Sequence, residues 1–279
     1  MKKTIMRDGF TFNCWVKGSG KPILVVGSSI YYPRLFSETM YEAFQFIFID
    51  HRGFVKPPRI LKSDDYTLQT VLADIEHIRE TLNLTDFIIL GHSGHAFIAL
   101  EYAKKYPDYV QKVVLLNSAP TNSQERQQQS FSFFYETAEP ERKQYFEKEI
   151  SSLERDIKEE PERRFAHMCI RMGAQSFYDY TFDAAYMWDD VYTNMEVIDY
   201  LWGEAFAEID LIQSLKDFSK PVLIGLGRYD YLVAPASLWD SVNTHTNVKQ
   251  VVFEQSGHNP MFEEPQLFQQ ELTKWIEEN

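Results

Sequence analysis

Cysteine is nearly absent from this 279-residue chain, which holds two, Cys14 and Cys169, far apart in sequence. Two such thiols make no disulfide framework and read as reduced residues of a cytoplasmic protein. Long apolar runs are missing as well. The runs Ile-Leu-Val-Val at 23–26 and Phe-Ile-Ile-Leu at 87–90 are far too short for a bilayer, which takes roughly twenty residues. The lysines at the start precede no apolar stretch of a signal peptide. Positive charge is in deficit, with 28 Lys and Arg against 41 Asp and Glu, a net of −13. A chain this acidic lacks the basic surface that meets phosphates, which argues against general nucleic-acid binding. No internal repeat is visible. No Gly-x-Gly-x-x-Gly follows a strand signal, so no nucleotide cofactor is expected. No His pair or Cys cluster has ligand spacing, so no metal is expected either.

The remaining composition is that of a globular protein, 44% hydrophobic and 25% charged, with a rich 15% of aromatics. A chain of this length buries a large core without staples, and one domain with an insert fits it as well as two in series. Strand and helix signals alternate in the first third. Residues 11–17, 23–26, 46–49, 87–90 and 113–116 read as strands, the later ones as short buried runs. Val71, Leu72, Ile75, Ile78 and Leu82 follow helical spacing, and so does the stretch from Phe97 to Tyr102, which closes near Lys104, Lys105 and Pro107. The alternation returns at 221–226 and 248–253 and ends with an amphipathic helix around Leu267–Ile276. This order predicts a mostly parallel central sheet flanked by helices.

Between Thr121 and Asp210 the alternation stops. Phe146, Ile150, Leu153 and Ile157 predict helix there. The segment holds 9 basic against 20 acidic residues, a net of −11, and 17 of the 42 aromatics. The reading is one α/β core, residues 1–120 and 211–279, interrupted by an acidic, aromatic-rich helical insert at 121–210.

The strand at 87–90 runs into Gly91-His92-Ser93-Gly94-His95, and a helix follows. A serine on a sharp strand-to-helix turn is a nucleophile elbow, which lifts the hydroxyl above the sheet and leaves the next N–H free to face an oxyanion. An ordinary polar turn has the same letters; the strand before and the helix after decide for the elbow. A hydroxyl needs a base. Of the seven histidines, His258 in Ser256-Gly257-His258-Asn259-Pro260 follows the strand 248–253, at the sheet edge expected for Ser93. His92 adjoins Ser93, where neighbouring side chains diverge. The base needs an orienting acid, and Asp230 follows the strand 221–226 at that same edge. Asn117, after the strand 113–116, stands where an acid could also reach, but an amide stabilises an imidazolium less well.

The order Ser93, Asp230, His258 and its surroundings resemble the α/β-hydrolase family over essentially the whole chain. Val25-Val26-Gly27-Ser28 is similar to the family's oxyanion loop, Asp50-His51-Arg52-Gly53 to its Asp-x-Arg-Gly turn, and Gly227-Arg228-Tyr229-Asp230 to its acid loop. The resemblance implies an oxyanion hole from the N–H groups of Ser28 and Gly94, and a helical lid at 121–210. Three departures stand out, one being that Val55 and Pro57 stand where the family has small residues after the Asp-x-Arg-Gly turn. His95 replaces the elbow's usual second glycine, which implies extra room or a reshaped turn. Val26 replaces a histidine that normally braces the oxyanion loop.

Trp202-Gly203-Glu204-Ala205-Phe206 and the run from Gly257 to Pro265 are most similar to proline iminopeptidases. That resemblance implies that Glu204 binds a substrate ammonium beside Trp202. The second acid of that group is replaced by Tyr231, and a phenol carries no charge near neutral pH. Three readings follow. The first is a serine hydrolase of small esters or amides. The second is an aminopeptidase acting on short peptides. The third is a non-catalytic small-ligand binder on the same scaffold. None involves nucleic acid or membrane, and the sequence is silent on oligomeric state.

Overall fold

The computed structural model describes residues 1–278. Eight strands form one sheet: β1 (Lys2–Arg7), β2 (Phe10–Lys17), β3 (Lys21–Gly27), β4 (Phe44–Asp50), β5 (Phe87–His92), β6 (Val110–Leu116), β7 (Val222–Gly227) and β8 (Val248–Phe253). Their spatial order is β1-β2-β4-β3-β5-β6-β7-β8. The pairs β1–β2 and β2–β4 are antiparallel, and every other pair is parallel. The α-helices of five residues or more are α1 (Leu68–Leu82), α2 (His95–Lys105), α3 (Gln124–Thr137), α4 (Pro140–Ile150), α5 (Leu153–Glu159), α6 (Arg164–Arg171), α7 (Met195–Gly203), α8 (Leu211–Lys216) and α9 (Pro265–Glu278), and a nine-residue 3-10 helix covers Ala236–Thr244. None of the described helices is long and apolar enough to cross a membrane.

The central strands are continuous apolar runs because both sheet faces are covered. On one face Leu24, Val26, Ile47, Ile49 and Ile89 meet Val71, Leu72 and Ile75 of α1 and Ala96, Ile98 and Leu100 of α2. On the other, Ile23, Val25, Phe46, Phe48 and Leu90 meet Tyr32, Phe36 and Met40 and the Phe268, Leu272 and Trp275 face of α9. β1 lies outside the strands read from the sequence. Its Lys2, Lys3 and Thr4 are exposed and Ile5 alone is buried, the composition of an edge strand protected by charge.

Between β6 and β7 the described residues hold α3 to α8 and no strand. Local chemistry sets their boundaries. Ser123 caps α3, its hydroxyl accepting from Arg126 N–H at 3.2 Å, Pro140 opens α4, and Asp210 caps α8. The spacing from Phe146 to Ile157 is divided between α4 and α5, which break at Ser151 and Ser152.

Parallel strands deliver their following loops to one edge of the sheet. The turn after β4 is fixed from below by Arg52, which is fully buried. Its guanidinium donates to Asp74 at 2.5 and 3.0 Å, to Asp8 at 2.9 Å and to the Asp65 carbonyl at 2.7 Å. Arg7 shares Asp74 at 2.7 Å. Removing one partner of such a buried pair leaves an uncompensated charge, at about 3–5 kcal/mol. Asp74→Asn should therefore lose roughly that much stability in denaturant unfolding. A loss under about 1 kcal/mol, the range of exposed pairs, would contradict the role given to Arg52.

Candidate active site

Ser93 sits between the end of β5 and the start of α2 with φ of +58°. A non-glycine residue in the left-handed region stores about 1–3 kcal/mol, so the surroundings must hold it. Its N–H donates to the Leu116 carbonyl at 2.8 Å, tying the turn to the neighbouring strand. At Gly91 a β-carbon would stand 2.3 Å from the His95 carbonyl, so strand and helix meet there only through a glycine. The Ser93 hydroxyl makes no hydrogen bond among the described residues, His258 included.

His258 and Asp230 meet directly, with Nδ1 2.7 Å from the Asp230 Oδ2 oxygen, and both are buried. Asn117 completes this pairing. Its Nδ2 donates to Asp230 at 2.8 Å and to the Gly257 carbonyl at 2.9 Å, bridging the acid loop and the histidine loop. The amide that makes Asn117 a poor acid makes it a good donor to one. Asp230 also accepts the Leu232 N–H at 3.1 Å. The histidine loop is clamped by Glu263, which accepts from the backbone of Tyr178, Gly257 and Asn259 at 2.6, 3.0 and 3.1 Å. Burial pushes the Glu263 carboxyl up to about 7, against the pull of those three amides.

The backbone N–H groups of Ser28 and Gly94 donate to no group among the described residues, while their neighbours are engaged. Ser29 N–H donates to Asp50 at 2.6 Å, and Ile30 and Tyr31 N–H donate to the Ser28 hydroxyl at 3.2 and 3.1 Å. Asp50 also takes the Asn13 N–H at 3.0 Å. Asp50 thus braces the loop that a histidine at position 26 was expected to brace; Val26 lies in the apolar core.

His95 is accommodated by room, not by a distorted elbow. Gly27, at φ of +148°, opens the space, since a β-carbon there would lie 2.2 Å from the Tyr32 ring and 3.0 Å from His95. A directed chain of hydrogen bonds then runs through the buried rings. Gly53 N–H donates to His51 Nδ1 at 3.0 Å, which puts the His51 proton on Nε2. That nitrogen is 3.0 Å from His95 Nε2, so His95 carries its proton on Nδ1, 2.7 Å from the Tyr32 hydroxyl. Tyr32 lies 3.3 Å from His92 Nδ1, and His92 Nε2 donates to the His258 carbonyl at 2.7 Å. One set of neutral tautomers satisfies every link. Burial pushes His51 down to about 3 and holds His92 and His95 well below the usual imidazole range. Spacing gave no hint of this chain, because its members come from four separate loops and turns.

The remaining sequence candidates divide. Trp202 covers the site: its ring lies so close over Gly94 that a β-carbon there would be 2.6 Å from it. Glu204 does not join the group. It is exposed at the end of α7, where Val197, Ile198 and Leu201 take the buried face. Tyr231 directly follows Asp230, and its ring is buried against Phe133 and Phe134. Clefts of about 300 and 330 Å³ open among residues 156–193, and neither is lined by Ser93, Asp230 or His258. No group of three or more His, Cys, Asp or Glu among the described residues is placed to hold a metal ion.

Comparison with known proteins gives a consistent picture. The alpha/beta hydrolase fold family matches residues 26–265. The AB hydrolase superfamily protein YclE of Bacillus subtilis is 57% identical over 272 residues, 97% of each chain. A proline iminopeptidase of Heyndrickxia coagulans is 25% identical over 269 residues, 90% of this chain and 88% of that one. Among solved structures, an esterase from Exiguobacterium antarcticum superimposes with a TM-score of 0.69 at 21% identity, covering 99% of this chain and 100% of that one.

The buried histidines make folding sensitive to acid. Below pH 6.5 the unfolded chain protonates His51, His92 and His95 while the folded chain does not, so stability falls as pH falls. Each contributes up to about 1.4 kcal/mol per pH unit near pH 5. Nitrogen-15 spectra between pH 5 and 7 should show all three unchanged and neutral, protonated at Nε2, Nε2 and Nδ1 respectively. Titration of any of them in that range would break the chain as described.

Proposed function

The chain belongs to the alpha/beta hydrolase fold family, and on that premise we propose that it is a serine hydrolase cleaving a small ester or amide through an acyl-enzyme. One observation carries the reading. The Asp230–His258 pair, at 2.7 Å, stands at the sheet edge that also presents Ser93 on a left-handed turn.

In this reading the substrate docks with its carbonyl oxygen between the N–H groups of Ser28 and Gly94. His258 Nε2 takes the Ser93 proton as Oγ bonds to the carbonyl carbon, and the two amides hold the resulting oxyanion. Collapse expels the alcohol or amine, which leaves with the proton from His258. A water then attacks the acyl-enzyme, gives its proton to His258, and the freed Ser93 oxygen takes that proton back. Asp230 holds the imidazole in the tautomer with Nε2 bare. Apo hydrogen bonds to a nucleophile are often long, and the Ser93–His258 contact forms as substrate binds. The helices at 121–210 serve as the lid, with Trp202 over the oxyanion side.

The aminopeptidase reading has less support, since the exposed Glu204 carboxylate is solvated where an ammonium anchor would have to be enclosed. A purely binding role has none of its own: it requires neither the strained Ser93 nor a buried acid–imidazole pair.

Ser93→Ala should lower turnover of a p-nitrophenyl ester by about 10⁴–10⁶, and Asp230→Asn by about 10⁴. A fluorophosphonate should label the wild type at Ser93. Full activity in the Ser93 variant, or no labelling of folded wild type, would refute the mechanism.

A further inference from the structure

Among the described residues the arginines are almost all paired, and the exception, Arg126, lies on the helix seated against the loop that carries Asp230. Arg52 is enclosed by Asp74, Asp8 and a carbonyl. Arg79 is held by Glu76 and the Leu84 carbonyl, and Arg142 by Glu139 and the carbonyls of Ala174, Phe177 and Tyr178. Arg126 is as buried as these, at 6% exposure, yet among the described residues its Nε and Nη1 have no partner. Its Nη2 donates only to a neutral hydroxyl, that of Ser130. A guanidinium stays charged at any ordinary pH, so it cannot escape burial by losing its proton. An unpaired buried charge is expensive, and a fold that pairs its other buried guanidiniums so fully leaves this one for something outside the chain.

Its location says where that something binds. Arg126 lies in the first turn of α3. On one side Ser130 of the same helix donates to the Ala234 carbonyl at 3.1 Å, seating α3 on the loop that carries Asp230. On the other, Asn122, just before α3, donates to the Trp202 carbonyl at 2.6 Å, and the Trp202 ring lies over Gly94. Residues 122–130, with Arg126 midway, therefore join the loop that carries Asp230 to the helix whose Trp202 lies over Gly94. The charge of Asp230 reaches the guanidinium. Asp230 is not its counter-ion, because no ion pair joins them and the carboxylate is already engaged by His258, Asn117 and Leu232.

We infer that Arg126 binds a carboxylate carried by the substrate, so that the enzyme selects anionic esters or amides. The inference rests on the serine-hydrolase reading for its reaction and on Arg126 alone for its specificity. The strong negative charge of the chain does not oppose it, because exposed carboxylates farther than about 8–10 Å are screened by salt while the unpaired guanidinium acts at contact.

The test uses the full chain and two matched pairs of esters. Mono-p-nitrophenyl glutarate against p-nitrophenyl butyrate places the carboxylate on the acyl side, and 3-acetoxybenzoate against phenyl acetate places it on the leaving side. In one pair the wild type should favour the anionic member by about tenfold to a hundredfold in kcat/KM. Arg126→Gln should abolish that preference, mainly through KM, with the neutral esters unchanged within about twofold; Arg126→Lys should restore part of it. Circular dichroism and the melting temperature check that the variants are folded, and Arg126→Met serves if the glutamine variant is not. Binding is read separately as the rise in melting temperature given by glutarate or benzoate, expected in the wild type and lost in Arg126→Gln. A wild type that favours the neutral member of both pairs overturns the inference. So does a glutamine variant that slows all four esters alike, or the absence of any Arg126-dependent melting shift. Turnover of the neutral esters reports on Ser93 independently, so failure of the anion site and failure of the hydrolase reading give different results.

Discussion

The parallel sheet is the constraint on which everything else rests. Because β3 to β8 share one direction, the loops that carry Ser28, Ser93, Asn117, Asp230 and His258 all emerge at one edge. Bringing them together there also buries their backbone and side-chain polar atoms, which must then be paired. Most of what distinguishes this edge is the pairing. Asn117 ties two loops, Glu263 collects three amides of the histidine loop and its neighbour, and Asp50 collects those of the oxyanion loop and β2. Among the described residues the N–H groups of Ser28 and Gly94 and the hydroxyl of Ser93 remain without a partner at this edge, as do the buried amide oxygens of Asn117 and Asn259.

The imidazoles beneath the elbow follow from the same demand. One histidine buried in an apolar turn would leave two nitrogens unsatisfied. Three histidines and a tyrosine, each donating once and accepting once, satisfy one another from Gly53 to His258. The arrangement is rigid because any change of tautomer would place two donors or two acceptors face to face. Through the His258 carbonyl it also joins the elbow to the histidine loop.

The fold was legible in the sequence wherever burial is two-sided, since β3, β5 and β7 are unbroken apolar runs. β1 was not, because an edge strand with charged residues has no such signature. The residues Ser93, Asp230 and His258 were legible because each follows a strand of the parallel sheet. Asn117 was weighed only as a poor acid, and its role as a donor depends on where Gly257 lies. Glu204 and Tyr231 were placed at the site by likeness to a group of relatives. Here Glu204 is exposed at the end of α7, whose apolar face is the buried one, and the Tyr231 ring packs on Phe133 and Phe134. Arg126 was invisible among other charged residues, because what sets it apart is the partners it lacks.

His95 has a broader consequence. It is compatible with this elbow only while Gly27 leaves the space and while Tyr32, His51 and His92 offer matching donors and acceptors. The five positions form an epistatic block. Exchanging one alone strands a buried nitrogen or fills a cavity already occupied, so a lineage can enter or leave this arrangement only by several substitutions at once, or by passing through poorly folded intermediates.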